Sequence, residues 1–138
     1  MVVLVAYDGS EPAMRAVEYA VDEHPNEDIV LLRVIEAADG STEAGIKLVQ
    51  EALKRAERES VPRVADEVSD LLDERDVDVE IETAVGDPAR EIVRYAEDQD
   101  VDVVVVGHHG RRGVSRVLLG SVAERVVRRS PCTVIVVR

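Results

Sequence analysis

The chain has 138 residues, of which 46% are apolar and only 2% aromatic, and its formal net charge is −12. This length suits one domain, residues 1–138, whose core must consist of Val, Leu, Ile and Ala. An acidic protein without Phe or Trp is a poor partner for nucleic acid, because phosphate backbones attract basic surfaces and unpaired bases stack on aromatic rings.

Arginine almost completely replaces lysine in this chain, which has only Lys47 and Lys54. Together with 29 carboxylates, this composition predicts a halophilic protein, since an acidic surface keeps proteins soluble where salt screens their repulsion. The single cysteine, Cys132, cannot form an internal disulfide and is expected to be a buried, inert thiol in a reducing compartment. No signal peptide and no run of about 20 apolar residues is visible. We therefore expect a cytoplasmic protein without a membrane partner.

The first two strands and the helix between them are clearly marked. Apolar runs at residues 2–7 and 29–35 predict strands covered on both faces. Between them, Ser10 is the expected N-cap and Pro12 lies in the first turn of a helix. The positions expected to face the core are Ala13, Ala16, Val17 and Ala20.

Residues 42–74 have apolar side chains three to four positions apart, which is typical of a helix, but Pro62 interrupts the pattern. Two interpretations stay open: a helix kinked at Pro62, or two helices that meet there. The next run, residues 77–85, alternates apolar and acidic side chains. One of its faces is therefore exposed to water, which predicts a strand at the edge of the sheet.

The last third of the chain continues the same alternation. Asp87 followed by Pro88 predicts the N-cap and first residue of a helix. Residues 103–106 form an apolar strand, and a helix from about 121 to 129 precedes the final strand at 133–137. The chain thus alternates strands and helices from beginning to end.

This alternation predicts an α/β fold, a doubly wound five-stranded parallel sheet with helices on both faces. Two strand orders are open. The order 3-2-1-4-5 places Asp8 opposite Gly107, whereas 2-1-3-4-5 would pair Asp8 with Gly86 and Asp87. Because the Gly86–Asp87 turn has the pattern of an ordinary helix cap, we favour 3-2-1-4-5. A ligand is then expected at the carboxyl ends of strands one and four, where the strand order reverses.

A glycine-rich segment follows the fourth strand. Its spacing is G-x2-G-x9-G-S, formed by Gly107, Gly110, Gly120 and Ser121. Glycines let phosphate oxygens approach the main chain, and the first amides of the helix, those of Ser121 and Val122, are further donors. The spacing therefore predicts a phosphate-binding loop.

Charge supports an anion at this loop, because residues 101–138 contain seven Arg but only two carboxylates. Arg111 or Arg112 is the candidate for direct contact with the anion. On the other side of the predicted crevice, the Asp8 carboxylate can accept from ribose hydroxyls or hold a divalent metal beside phosphates. His108 and His109 are adjacent and have no third ligand at a suitable spacing, so no zinc site is expected.

These segments together resemble the universal stress protein family. The likeness covers essentially the whole chain and rests on four further segments besides the glycine loop. They are the opening V-L-V-A-Y-D-G-S that contains Asp8, the L-L-R-V that ends at Val34, the turn Gly86-Asp87-Pro88, and the ending S-P-C-T-V-I-V-V from Ser130.

The resemblance implies a site for ATP with Mg²⁺ or Mn²⁺, and a homodimer paired through the last strand. By position, Asp8 would contact the ribose or the metal, and Val34 would meet adenine through its backbone. The residues implied to line the ribose–phosphate path are Gly107, Gly110, Arg111, Gly120, Ser121 and Val122.

The expected function is therefore a cytoplasmic, ATP-binding stress-response protein that acts as a dimeric sensor of energy state or stress. No general base is evident from the sequence, so hydrolysis should be slow or absent. Two alternatives stay open: an enzyme that transfers phosphoryl or adenylyl groups in the same crevice, and a dimeric interaction module that binds no nucleotide.

Overall fold

The structure is a computed structural model that describes residues 1–36, 43–109 and 120–138. Within these residues, strands and helices alternate along the chain. The elements are β1 (Val2–Ala6), α1 (Glu11–Glu23), β2 (Asp28–Ile35), α2 (Glu43–Arg75), β3 (Glu80–Val85), α3 (Pro88–Asp98), β4 (Val103–Gly107), α4 (Ser121–Arg129) and β5 (Thr133–Val137). All strand pairs are parallel, and the order is β3-β2-β1-β4-β5. The predicted order is confirmed, and the order 2-1-3-4-5 is wrong.

Two apolar layers cover the two faces of the sheet. Alternate residues of β1 point in opposite directions, so Val3 and Val5 pack under α1 and α2, whereas Leu4 packs under α3 and α4. The predicted core positions of α1 are all buried, as Ala13, Ala16, Val17 and Ala20. The helices on both faces make the sheet doubly wound, as predicted.

The two edge strands differ from their predictions in one respect each. β3 begins at Glu80 rather than at residue 77, because Asp76 has a left-handed φ of 51° and the Val77 amide donates to the Leu72 carbonyl at 3.1 Å. This turn closes the end of α2 and keeps Val77 out of the sheet. The continuous apolar run of β5 is typical of a strand covered on both faces, but its side chains are only partly buried or exposed because it lies at the other edge. Cys132, just before β5, is likewise only partly buried.

The question left open at Pro62 is answered by one continuous helix. α2 runs through Pro62 for 33 residues. Proline has no amide hydrogen, so the Arg58 carbonyl loses one helical hydrogen bond. The core contacts of Val64 and Val68, about half a turn and nearly two turns later, hold this part of α2 against the sheet. Within the described parts of the chain, no helix combines the length and the apolar character that crossing a membrane demands.

Both predicted N-caps are confirmed. The Ser10 hydroxyl accepts from the Ala13 amide at 3.2 Å at the start of α1. The Asp87 carboxylate accepts from the Arg90 amide at 3.0 Å at the start of α3.

Asp87 also joins α3 to α4. Its two carboxylate oxygens accept from Arg125 at 2.9 and 2.8 Å, a two-pronged ion pair. The hydrogen bond from Arg125, followed by that from the Arg90 amide, lowers the pKa of Asp87. One carboxylate therefore begins a helix and fixes its neighbour.

The two roles of Asp87 can be separated by substitution. We expect Asp87→Ala to lower the free energy of unfolding by about 1 kcal/mol through loss of the cap. Asp87→Asn is the matched variant, because asparagine caps equally well and removes only the ion pair with Arg125. That pair is exposed, so its contribution is small and is screened by salt. Urea unfolding at low and at molar-range salt measures both effects. The loss of unfolding free energy in Asp87→Asn should shrink as salt rises, whereas the loss in Asp87→Ala should persist.

The parent protein provides a check by pH. The pKa of Asp87 is lower in the folded chain than in the unfolded chain, so its charge contributes its full stabilisation above the ordinary carboxyl pKa of about 4. That contribution is lost as the pH falls through the lowered pKa. For the variants, equal losses of unfolding free energy in Asp87→Ala and Asp87→Asn at molar-range salt would show that Asp87 is not needed as a cap.

Candidate functional site

A cleft of about 640 Å³ opens at the carboxyl ends of β1, β2 and β4. Small-molecule sites commonly span about 300–1,000 Å³. The cleft lies where the chain order reverses, because β1 pairs with β2 on one side and with β4 on the other. In a sheet of this kind the connections after β1 and β4 leave on opposite faces, so a crevice forms between them.

The cleft contains every predicted site residue that falls within the described parts of the chain. These residues are Asp8, Val34, Gly107, Gly120, Ser121 and Val122. The predictions for Gly110 and Arg111, and for Arg112 as an anion contact, lie outside the described residues.

Asp8 follows β1 in a tight turn. Its Oδ1 accepts from the Ser10 amide at 2.9 Å and from the Ser10 hydroxyl. Its Oδ2 lies 3.7 Å from Nε2 of His109, the second residue after β4. Burial alone would raise the pKa of Asp8, but the two hydrogen bonds from Ser10 and the charges of His109 and Arg33 together lower it. Asp8 is thus a carboxylate at neutral pH.

Val34 contributes backbone groups at the other end of the cleft. Successive residues of a strand direct their backbone groups to opposite neighbours. Leu32 accepts from the Tyr7 amide on the β1 side, whereas the Ile35 carbonyl accepts from the Gly86 amide on the β3 side. Val34 therefore directs its N–H and C=O towards β1, beyond the point where that strand ends. These two groups form a donor–acceptor pair at the cleft.

The beginning of α4 forms the wall opposite Asp8. Gly120 precedes the helix with φ 85° and ψ 153°, a combination that essentially only glycine adopts. No side chain in the described part of the chain caps this helix. The first amides of α4, at Ser121 and Val122, therefore lie at the cleft with the positive end of the helix dipole.

Gly107 has a packing role that the motif alone did not reveal. A Cβ placed on Gly107 would lie 2.3 Å from the Pro12 carbonyl oxygen and 2.5 Å from its carbon. Only glycine lets the end of β4 approach the first turn of α1 this closely. The first glycine of the motif is thus required by the fold before any ligand arrives.

Sequence reasoning missed three parts of the cleft. Arg33 lines it and is partly buried, and none of the hydrogen bonds or ion pairs among the described residues involves its guanidinium. A single charge inside the apolar run 29–35 was the available signal. His109 was considered only as a zinc ligand, Pro88 was predicted only as the first residue of α3, and Ile92 of the same helix had no predicted place in the cleft. Their place in the cleft depends on how α3 packs, which no local pattern encodes.

A metal would find few protein ligands in this region. The described residues contain no group of three or more His, Cys, Asp or Glu side chains arranged to hold an ion. Asp8 offers one carboxylate at the cleft. That donor set fits Mg²⁺, which commonly takes one or two carboxylates and completes its shell with phosphates and water.

Comparison with known proteins gives one consistent result. The profile of the universal stress protein family matches residues 1–138. Universal stress protein MJ0531 of Methanocaldococcus jannaschii is 32% identical over 145 residues, which cover 99% of this chain and 81% of that protein.

Solved structures agree with the sequence match. Universal stress protein UspA from Lactobacillus plantarum has a TM-score of 0.76 and 26% identity, covering 100% of this chain and 97% of its own. A universal stress protein crystallised in complex with cAMP has a TM-score of 0.73 and 28% identity, with the same two coverages.

The packing role of Gly107 predicts a loss of stability that needs no ligand. Gly107→Ala should lower the free energy of unfolding by about 1–3 kcal/mol, because the new methyl group meets backbone atoms of Pro12 that cannot rotate away. Urea unfolding in the absence of nucleotide measures this. A variant as stable as the parent would contradict the packing role and leave Gly107 to the ligand alone.

Proposed function

This chain belongs to the universal stress protein family, and from that premise we propose that its cleft binds an adenine nucleotide, with ATP as the main ligand. We propose a cytoplasmic stress-response regulator in which occupancy of the cleft reports energy state or stress. The observation that carries the proposal is the arrangement at the strand reversal. A carboxylate, Asp8, and the uncapped beginning of α4 face each other across one cleft.

Each part of ATP has a chemical counterpart in this cleft. Val34 presents a backbone N–H and C=O, which match the acceptor and donor on the edge of adenine. The Asp8 carboxylate can accept from ribose hydroxyls. The amides of Ser121 and Val122 suit phosphate oxygens, because helix N-termini bind anions. The relative crystallised with cAMP supports an adenine nucleotide as the ligand class.

Charge around the cleft favours a metal-bound form of the nucleotide. Asp8 and Glu36 line the cleft with negative charge, and Arg33 is a cation among the described lining residues. Four negative charges of free ATP would meet unfavourable repulsion from the two carboxylates. We propose that Mg²⁺ or Mn²⁺ accompanies ATP. The phosphates would hold the ion, the negative charge of Asp8 would attract it without direct coordination, and the ion would reduce that repulsion.

The proposal includes slow hydrolysis or none. Among the described residues of the cleft, the Asp8 carboxylate is engaged by Ser10. The other carboxylate, that of Glu36, lies at the end of β2, next to the proposed position of adenine. Neither carboxylate is both free and beside α4 to activate a water molecule against a terminal phosphate, and the ring of His109, which lies beside Gly120, is directed to Asp8 Oδ2 at 3.7 Å. The alternative of phosphoryl or adenylyl transfer requires such a group.

We further propose that the protein is a homodimer paired through β5. This strand lies at an edge of the sheet and has four consecutive apolar residues, 134–137, all only partly buried. An apolar edge strand presents unpaired backbone groups that favour pairing with another chain. The acidic surface also supports a halophilic protein, for which association should be strongest in molar-range salt.

Ser121 provides the test of the phosphate position. We expect Ser121→Asp to abolish ATP binding measured by calorimetry in molar-range salt, because it places a carboxylate where the phosphates would lie. Helix stability should not fall, since a negative charge is favourable in the first turn. Ser121→Asn is the matched control, because asparagine has the size of aspartate but no charge. This variant should bind ATP within a fewfold of the parent.

The outcomes distinguish the alternatives. A Ser121→Asp variant that binds ATP like the parent would refute the phosphate position. Turnover by the parent on the order of 1 s⁻¹ or faster, the usual enzyme range, would favour group transfer. No ATP binding by a protein that sediments as a dimer would favour an interaction module without nucleotide.

A further inference from the structure

Tyr7 connects the cleft to α2, a helix from which no residue appears in the described lining of the cleft. It directly follows β1 and lines the cleft, yet its side chain is only 3% exposed. Its hydroxyl donates to Glu67 Oε2 of α2 at 2.5 Å, a contact between residues 60 positions apart. Burial, then the hydrogen bond to Glu67 and the charges of Glu67 and Asp8, raise the pKa of Tyr7. The phenol therefore keeps its proton and remains a donor throughout the physiological range.

The same carboxylate lies near the residue that follows Asp8. A Cβ placed on Gly9, which has none, would lie 3.8 Å from Glu67 Oε2, so the carboxylate is close to Gly9 without a bond to it. Glu67 thus bonds to the residue before Asp8. We call the hydrogen bond between Tyr7 and Glu67 the α2 brace.

The Asp8 turn has little other support from outside itself. Its last backbone bond to the sheet is the Tyr7 amide to the Leu32 carbonyl at 3.0 Å. Beyond that point, the bonds of Asp8 go to Ser10 within the same turn. His109, at 3.7 Å, approaches Asp8 from the cleft side. Among the described residues, the α2 brace is the side-chain hydrogen bond that joins the start of this turn to α2.

We infer that Glu67, acting through Tyr7, is a positioning residue that fixes the Asp8 carboxylate for the ribose hydroxyls of the nucleotide. This inference rests on the proposed function of Asp8. A carboxylate on an unbraced turn would still carry its charge but would sample several positions, and hydrogen bonds depend steeply on distance and angle. The brace therefore selects for nucleotides with intact ribose hydroxyls and contributes little to phosphate binding.

The test compares ATP with 2′,3′-dideoxy-ATP, which lacks both hydroxyls. Tyr7→Phe removes only the hydroxyl that Glu67 binds, and Glu67→Leu removes the acceptor. Each should weaken ATP binding by about three- to tenfold, the range of one hydrogen bond, and leave binding of the dideoxy analogue unchanged. Glu67→Gln keeps an acceptor oxygen and should restore most of the preference. The control is Glu59→Leu, an exposed glutamate of α2, which should change neither affinity.

A double-mutant cycle separates positioning from general stability. If the brace acts through Asp8, Tyr7→Phe will have no effect on the preference for ATP in an Asp8→Ala background. A merely structural role would weaken both nucleotides in both backgrounds. Glu67→Leu, on the exposed side of the contact, repeats the cycle if Tyr7→Phe fails to fold.

Two failures are distinguishable. If Asp8→Ala does not change the preference for ATP over the dideoxy analogue, the proposed ribose contact is wrong, and the brace has nothing to position. If Asp8→Ala abolishes the preference but Tyr7→Phe and Glu67→Leu leave it intact, the inference alone is overturned.

Discussion

β1 is paired on both sides, and the position where it ends determines where the cleft forms. β1 is the central strand, paired with β2 through five residues and with β4 through three. It ends at Ala6, two residues before Asp8, while β2 continues to Ile35. The early end of β1 leaves the backbone of Val34 directed at open space and starts the turn that contains Asp8. Cleft, carboxylate and exposed backbone all follow from where this strand stops.

The glycines of the motif serve different physical needs. Gly107 is required by the close approach of Pro12, so it supports the fold whether or not a ligand binds. Gly120 is required by its backbone angles, which turn the chain into α4 and leave the first amides facing the cleft. The spacing looks like a single ligand-binding motif, but Gly107 serves the packing of the fold and Gly120 serves the site. Substitutions at Gly107 report on packing, and only those beyond Gly120 report cleanly on the ligand.

Local patterns were enough to predict much of the fold. The caps at Ser10 and Asp87 depend on residues three positions apart, and the strand order followed from recognising that the Gly86–Asp87 turn is such a cap. The edge position of β3 followed from its alternation. Asp8 and the residues from Gly120 to Val122 could be assigned to one site because parallel strands end together, whereas Val34 was assigned to it only through the resemblance to the family.

What could not be predicted depends on contacts between distant parts of the chain. Tyr7 meets Glu67 across 60 residues, and the Asp8 carboxylate lies 3.7 Å from His109. Nothing in the immediate sequence of either residue indicates its partner. Arg33 lacked a predicted role because its strand looked uniformly buried. The start of β3 was misplaced because the turn at Asp76 is a backbone conformation that aspartate adopts without an obvious signal.

Amide chemical-shift mapping during an ATP titration tests whether adenine nucleotide binds between Asp8 and the beginning of α4. We expect the largest shifts on Asp8, Val34, Ser121 and Val122, at the three corners of one cleft. The structure offers a second concavity between α2 and β3, lined by Ser69, Asp73 and Asp78 among others. Shifts centred there, or no shifts at the cleft at saturating ATP, would show that this assignment of the site is wrong.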